Sequence, residues 1–187
     1  MPTIRITDPA TEPVTLQEAK QHLRVDSDED DALIGIYIAA AREMAEGELG
    51  RSLITSTWEM RANAFSAALR LDWPRVQAVE WVQYLDPEGV WRILHSDNYT
   101  LDATSDVSAA RLVPAYGCAW PAARPEVGAV CVRYRAGYGD FPSDVPQAIR
   151  HWMLLHIGSM YENRESVARD MKPLAFIGRL LDPYRVY

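Results

Sequence analysis

Four histidines and two cysteines are the side chains of this 187-residue sequence best suited to holding a metal or acting as a nucleophile. Their spacing argues against both roles. His151 and His156 are five residues apart and point in different directions on a helix, whereas helical metal ligands share a face at i and i+4. His22 and His95 stand alone. His156 falls on an apolar face, where a hydrogen-bonded core histidine is expected. Cys118 and Cys131 do not have zinc-site spacing. A disulfide between them is disfavoured in a reducing compartment, so both are expected as buried thiols packing like small hydrophobes.

Other chemistry-bearing motifs are incomplete. Gly137-Tyr138-Gly139 lacks the third glycine of a dinucleotide fingerprint, and no Gly-Lys-Ser/Thr loop occurs. Gly158-Ser159-Met160 lacks the second glycine of a nucleophile elbow. Asp26 to Asp31 superficially resembles a calcium loop, but the central glycine and the twelfth-position glutamate are missing, and a capped helix start explains it better. A small enzyme could still be built on scattered carboxylates such as Asp97, Asp102 and Asp106, although loop carboxylates are usually solvated. The expectation is no enzyme: no catalytic residue, no cofactor and no metal.

The charge balance addresses a second class. The net charge is −7, and residues 1–50 carry all of it, with four basic and eleven acidic groups. A DNA-binding accessory factor needs a basic face to neutralise phosphates, and none is visible. An acidic stretch could instead face a DNA path and let the duplex slide; a solvated helix start is the plainer account. Six tryptophans and nine tyrosines suit interfaces as well as cores. No apolar run approaches the roughly 20 residues that span a bilayer, and the start lacks a secretory pattern, so folding in a cytoplasm is expected.

The elements that carry these residues read clearly in places. Thr15-Leu16-Gln17-Glu18 is a capping box opening a short helix to about Leu23. Ser27 to Asp31 supplies a cap and an acidic first turn for a second helix ending at Gly50. Leu33, Ile36, Tyr37, Ala40, Ala41 and Met44 recur at helical spacing, and Ile34 and Ile38 widen the apolar face enough to suggest burial on two sides.

From about residue 53 the period becomes that of strands: Ile54 to Ala62, then Val76 to Leu85 turning through Asp86-Pro87-Glu88-Gly89 into Val90 to Leu94. Tyr99 to Leu101, Arg111 to Val113 and Val127 to Tyr134 follow. Helix resumes with Ser143 or Asp144 as cap and Pro146 in the first turn. Val145, Ile149, Trp152, Met153, His156 and Met160 form one face, and Leu154, Leu155, Ile157 and Tyr161 much of the other, as in a central buried helix.

The fold class expected is α+β. It comprises a helical core of two N-terminal helices, one long buried helix in the C-terminal half and a short terminal helix, with an inserted antiparallel β region. All of 1–187 is expected as a single domain, with helices at about 15–50 and 145–187 and the insertion at about 53–135. The terminal segment holds Leu174, Phe176, Ile177, Leu180, Leu181 and Tyr184 behind a polar link. A helix of roughly nine residues is unstable alone in water, so it either folds back or docks on a neighbour.

Several of these pieces, in one order along nearly the whole chain, resemble the head–tail connector (adaptor) proteins of tailed bacteriophages. They are Val14-Thr15-Leu16-Gln17-Glu18-Ala19-Lys20-Gln21-His22-Leu23-Arg24-Val25 and the acidic Asp28 to Asp31; Gly50-Arg51-Ser52-Leu53-Ile54; Leu71-Asp72-Trp73-Pro74-Arg75-Val76; Asn98-Tyr99-Thr100-Leu101-Asp102; and Leu180-Leu181-Asp182-Pro183-Tyr184-Arg185. Val25 departs from the pattern, which has a glycine just after the Leu-Arg. The resemblance implies a structural protein of the virion neck, made in the host cytoplasm. It would form a ring, dodecameric like the portal although monomeric when isolated. That ring would sit between the portal and the stopper or tail, extend the DNA channel and complete the head after packaging. Double-stranded DNA would be only passing cargo, and no membrane is involved. The six terminal residues, Leu174, Phe176, Ile177, Leu180, Leu181 and Tyr184, would then be the contact with the portal or a neighbour.

Overall fold

Two residues close the first helix at its start. Thr15 Oγ1 accepts the Glu18 amide at 3.2 Å while the Glu18 carboxylate accepts the Thr15 amide at 2.9 Å, so both exposed donors are satisfied. This computed structural model describes residues 2–105, 108–163 and 178–186. Helix α1 runs Leu16–Leu23 and stops at Arg24, which takes the left-handed conformation (φ 58°) at the turn. Helix α2 spans Asp31–Leu49 and ends at Gly50, also left-handed (φ 65°). The cap position falls within the expected run Ser27–Asp31. Asp30 occupies that position without a side-chain cap, and its carboxylate accepts from the Tyr161 hydroxyl. The neighbouring acids Asp28 and Asp31 pair with Lys20 on α1 at 2.6 and 2.7 Å.

The buried face of α2 is Ile34, Ile38, Ala41, Ala45 and Leu49. Ile36 and Met44, expected on the inner stripe, are 64% and 46% exposed. A helix apolar nearly all round leaves the choice of face to its partners, and here packing against α3 rotates it. Helix α3, Gln147–Glu162, buries Ile149, Trp152, Met153 and Ile157, while Leu154, Leu155 and Tyr161 are half-buried. Its first turn is also arranged differently from expectation. Asp144 accepts the Phe141 amide and closes a 3-10 turn at Pro142–Asp144, leaving Pro146 at the cap of α3. Gly139 is required here, since a Cβ would lie 2.2 Å from Asp144 Oδ2.

Among the described residues eight strands make up the β region: β1 Thr3–Thr7, β2 Ser56–Ala62, β3 Leu69–Leu71, β4 Val76–Leu85, β5 Trp91–Leu94, β6 Tyr99–Asp102, β7 Ala110–Pro114 and β8 Val130–Ala136. Five form an antiparallel sheet in the order β1-β2-β8-β4-β5, and three a second sheet in the order β3-β7-β6. The expected β4–β5 hairpin is present, its turn closed by Asp86, which accepts the Val90 amide at 2.8 Å, with Gly89 at φ 84°. The last strand lies at 130–136 rather than 127–134. Strands β1 and β3 had no counterpart in the reading of the sequence.

The chain forms two compact units. The helical unit comprises Ala10–Ile54 and Tyr138–Arg185; the sheet unit comprises Met1–Pro9, Thr55–Gly137 and Val186–Tyr187. Each has its own core. In the helical unit Ile34, Ile38, Leu49, Leu53, Ile149, Trp152, Ile157 and Leu181 are enclosed together. In the sheet unit Trp58, Met60, Val82, Val132 and Tyr134 pack with Leu69, Leu71 and Leu112 of the small sheet. Trp73, in the left-handed conformation (φ 61°), stacks on Trp58 at 4.3 Å.

Candidate interaction surfaces

The expected terminal contact residues fall into two groups. Leu181 is fully enclosed in the core of the helical unit, and Leu180 and Tyr184 pack against that core. These three therefore anchor the end of the chain on itself. Leu174, Phe176 and Ile177 lie outside the described residues.

Of the described residues considered for chemistry, His95 and Asp97 come together, 3.3 Å apart and both largely exposed, while the others lie apart. His156 is half-buried, its ring 3.6 Å from that of Trp152 and its Nδ1 2.9 Å from the Trp152 carbonyl oxygen. It is the hydrogen-bonded histidine the sequence suggested. Cys131 is buried, and desolvation first, then the neighbouring Glu59 carboxylate, pushes its thiol up to about 12. Cys118, expected to be buried, is exposed. It closes the Ala115–Cys118 turn in the Pro- and Ala-rich loop, its amide donating to the Ala115 carbonyl. Asp102 accepts from Thr104 and Arg111, Asp97 is solvated, and Asp106 lies outside the described residues. Among the described residues no group of three or more His, Cys, Asp or Glu side chains could hold a metal, and no helix is long and apolar enough to cross a membrane. An open depression of ≈ 410 Å³ in the sheet unit is lined by Arg70, Asp102, Ser108 and Arg111. Its two arginines are directly opposed across β3 and β7, and each is neutralised by its own aspartate, Asp72 or Asp102.

The outer face of the large sheet has a more distinctive pattern. Strand register places Ile4, Glu59, Arg133 and Trp81 in one row, and Arg61, Cys131, Gln83 and Ile93 in the next. The middle of the face is an ion cluster. Glu59 is 4% exposed and accepts from Arg61 at 2.8 Å and Arg133 at 2.7 Å, while Arg133 also lies 4.6 Å above the Trp81 ring. The two margins are apolar. Ile4 and Ile6 on β1 are 52% and 41% exposed, and Trp91 and Ile93 on β5 are 49% and 71% exposed. Sequence reasoning missed the β1 margin although Thr3-Ile4-Arg5-Ile6-Thr7 alternates as an edge strand should.

The ion cluster makes the sheet acid-sensitive. Burial alone would raise the Glu59 pKa, but the hydrogen bonds from Arg133 and Arg61 outweigh it and hold the carboxyl below its ordinary 4.5. The folded-state value thus lies below the unfolded one. The stabilisation is present above the ordinary carboxylate range and is lost as pH falls through the folded value. Glu59→Gln is expected to cost about 1.5–3 kcal/mol near neutral pH, the worth of hydrogen bonds to a charged group. The difference from the parent should shrink in urea titrations below about pH 4. A deficit that stays constant over that range would remove the charge from the explanation.

Comparison with known proteins addresses the same fold. Residues 13–74 match the phage gp6-like head-tail connector protein family. No curated protein matches the chain. Among solved structures, a chain in the neck of an empty gene transfer agent particle, determined with C6 symmetry, superposes with a TM-score of 0.82 at 22% identity, covering 100% of this chain and 96% of that one. A chain of the native gene transfer agent virion gives 0.81 at 23% identity with the same coverage. A chain in the native neck, determined with C12 symmetry, gives 0.80 at 23%, again covering 100% and 96%. The likeness read from the sequence is therefore borne out: the chain resembles phage head–tail connectors in sequence over residues 13–74 and shares the fold of particle-neck chains from end to end.

Proposed function

We propose that this chain is a structural subunit of a phage-type particle neck. Copies of it form a ring between the portal and the tail or stopper, extend the DNA channel and complete the head after packaging. The observation that carries the reading is the end-to-end fold likeness to chains of particle necks, joined to the connector-family match at residues 13–74. The charge distribution agrees with DNA as passing cargo. A net charge of −7 works against holding phosphates. In this reading the terminal segment containing Leu174, Phe176 and Ile177 contacts the portal or a neighbouring copy, while Leu180, Leu181 and Tyr184 fasten it to its own core.

Electron microscopy of the purified protein mixed with its cognate portal tests the proposal directly. The expected result is a ring of this chain capping the portal. Purified particles that lack the chain, or a portal that stays bare at saturating protein, would overturn it.

A further inference from the structure

We infer that the five-stranded sheet continues from one copy of this chain into the next, the β5 edge of one copy pairing with the β1 edge of its neighbour. The inference rests on the neck reading above and supplies the surface through which copies meet.

Among the described residues both outer strands of the sheet have one unpaired edge. Strand β1 pairs only with β2 and strand β5 only with β4 among the described residues. An open edge is a row of unpaired amides and carbonyls ready to accept another strand, and proteins usually block such edges with Lys, Pro, bulges or a covering element. Neither strand contains Lys or Pro, and the register of β1 against β2 shifts only between Arg5 and Thr7, beyond the regularly paired stretch Thr3–Arg5. The single charge on each is turned onto its own chain. Arg5 lies 4.7 Å above the Trp58 ring, and Arg92 pairs with Asp86 at 2.8 Å. What the edges expose is apolar: Ile4 and Ile6 on one, Trp91 and Ile93 on the other, with Ile4, Trp91 and Ile93 in register on the outer face of the sheet. Exposed large hydrophobics concentrated at both margins of one sheet, with an ion cluster between them, mark surfaces that become covered.

The occupant follows from the topology. Alternating antiparallel pairing through β1-β2-β8-β4-β5 makes β1 and β5 run in the same direction. Placing β5 of one copy against β1 of the next therefore gives a parallel pair with the outer faces continuous, and sets Trp91 and Ile93 beside Ile4 and Ile6. Because the two surfaces differ, the contact is heterologous and repeats from copy to copy until the rotation closes a ring. A β5-to-β5 contact would instead be isologous, give a two-fold dimer and leave both β1 edges bare. A foreign strand at one edge would likewise leave the other apolar margin uncovered. Only a second copy satisfies both.

The test is disulfide trapping in assembled particles carrying Cys118→Ser, with Ile4 or Ile6 and Trp91 or Ile93 changed to Cys in the four pairwise combinations that span the neighbouring registers. Cys131 is 3% exposed and does not compete. The expected result is a ladder beyond dimer in at least one combination under oxidising, non-reducing conditions, with none of the single-cysteine variants linking. Chain present in particles but unlinked in all four combinations, or Ile93→Cys alone giving dimers, would overturn the edge-to-edge contact while leaving the neck reading intact. Particles without the chain would sink the neck reading itself. In a separate arm, Ile93→Lys should lower incorporation into particles at least about tenfold with an unchanged urea midpoint for the isolated chain, since edge lysines oppose strand addition. Full incorporation of this variant would also count against the contact.

Discussion

Trp152→Ala is expected to destabilise the helical unit by about 3–5 kcal/mol, the range for deleting a large aromatic from a packed core. Trp152 is 1% exposed and among the largest fully buried side chains. It sits on the face of α3 that meets Ile34, Ile38 and Leu49 of α2, and its ring stacks on His156. Alanine there leaves a cavity among the large side chains that α2 and α3 enclose together. The loss is a large share of the roughly 5–15 kcal/mol that holds an ordinary domain. Because the sheet unit keeps its separate core, the consequence should be asymmetric. Far-UV circular dichroism should lose its helical signal at lower urea than the parent, while the Trp58–Trp73 region unfolds near its original midpoint. A single unsplit transition shifted by less than about 1 kcal/mol would show that the site relaxes and that the stack carries little.

That asymmetry also indicates what the sequence could and could not reveal. The start of α1 was legible because a capping box is a purely local arrangement: Thr15 and Glu18 satisfy each other's backbone without help from the rest of the chain. The end of α2 was legible for the same reason, since Gly50 is at φ 65°. The buried face of α2 was not. With Leu33, Ile34, Ile36, Tyr37 and Ile38 in succession, several stripes have helical spacing, and only the packing of α3 chooses Ile34 and Ile38 over Ile36 and Met44. Strand β3, three residues of Leu-Arg-Leu, is too short to display a period, and β1 lies some fifty residues from its partner β2. Cys118 was misplaced because cysteine composition predicts burial on average, whereas the exposed turn that carries it is set by Gly117 at φ 77°. The candidate surfaces were the least legible. Exposure at Ile93 and Ile4 depends on which strands end up at the margins, and strand order is a property of the whole sheet.

Arg42→Ala is the second large effect expected, again about 3–5 kcal/mol, the cost of breaking a buried ion pair from one side. The Arg42 side chain is 7% exposed and gathers three carboxylates: Glu12 at 2.9 Å, Glu46 at 3.2 Å and Glu43 at 3.6 Å. Glu46, itself 3% exposed, accepts the Leu53 amide at 2.9 Å and so ties α2 to the segment leading out of it. Without the guanidinium the buried Glu46 carboxylate is left beside the half-buried Glu12 with no cation between them. The pH dependence has a definite sign. Burial raises the Glu12 pKa above its ordinary value, and Arg42 is the main influence opposing the rise. Removing Arg42 therefore lifts the folded-state value further above the unfolded one. The penalty is small below the unfolded value, where the group is protonated in both states, and grows as pH rises through the folded value. The deficit of Arg42→Ala relative to the parent should accordingly be largest near neutral pH and narrow on acidification through the carboxylate range. Adding Glu46→Gln to Arg42→Ala should recover part of the loss, because glutamine can still accept the Leu53 amide while removing one of the repelling charges. A deficit independent of pH and unrelieved by Glu46→Gln would assign the effect to lost packing of the arginine stem instead.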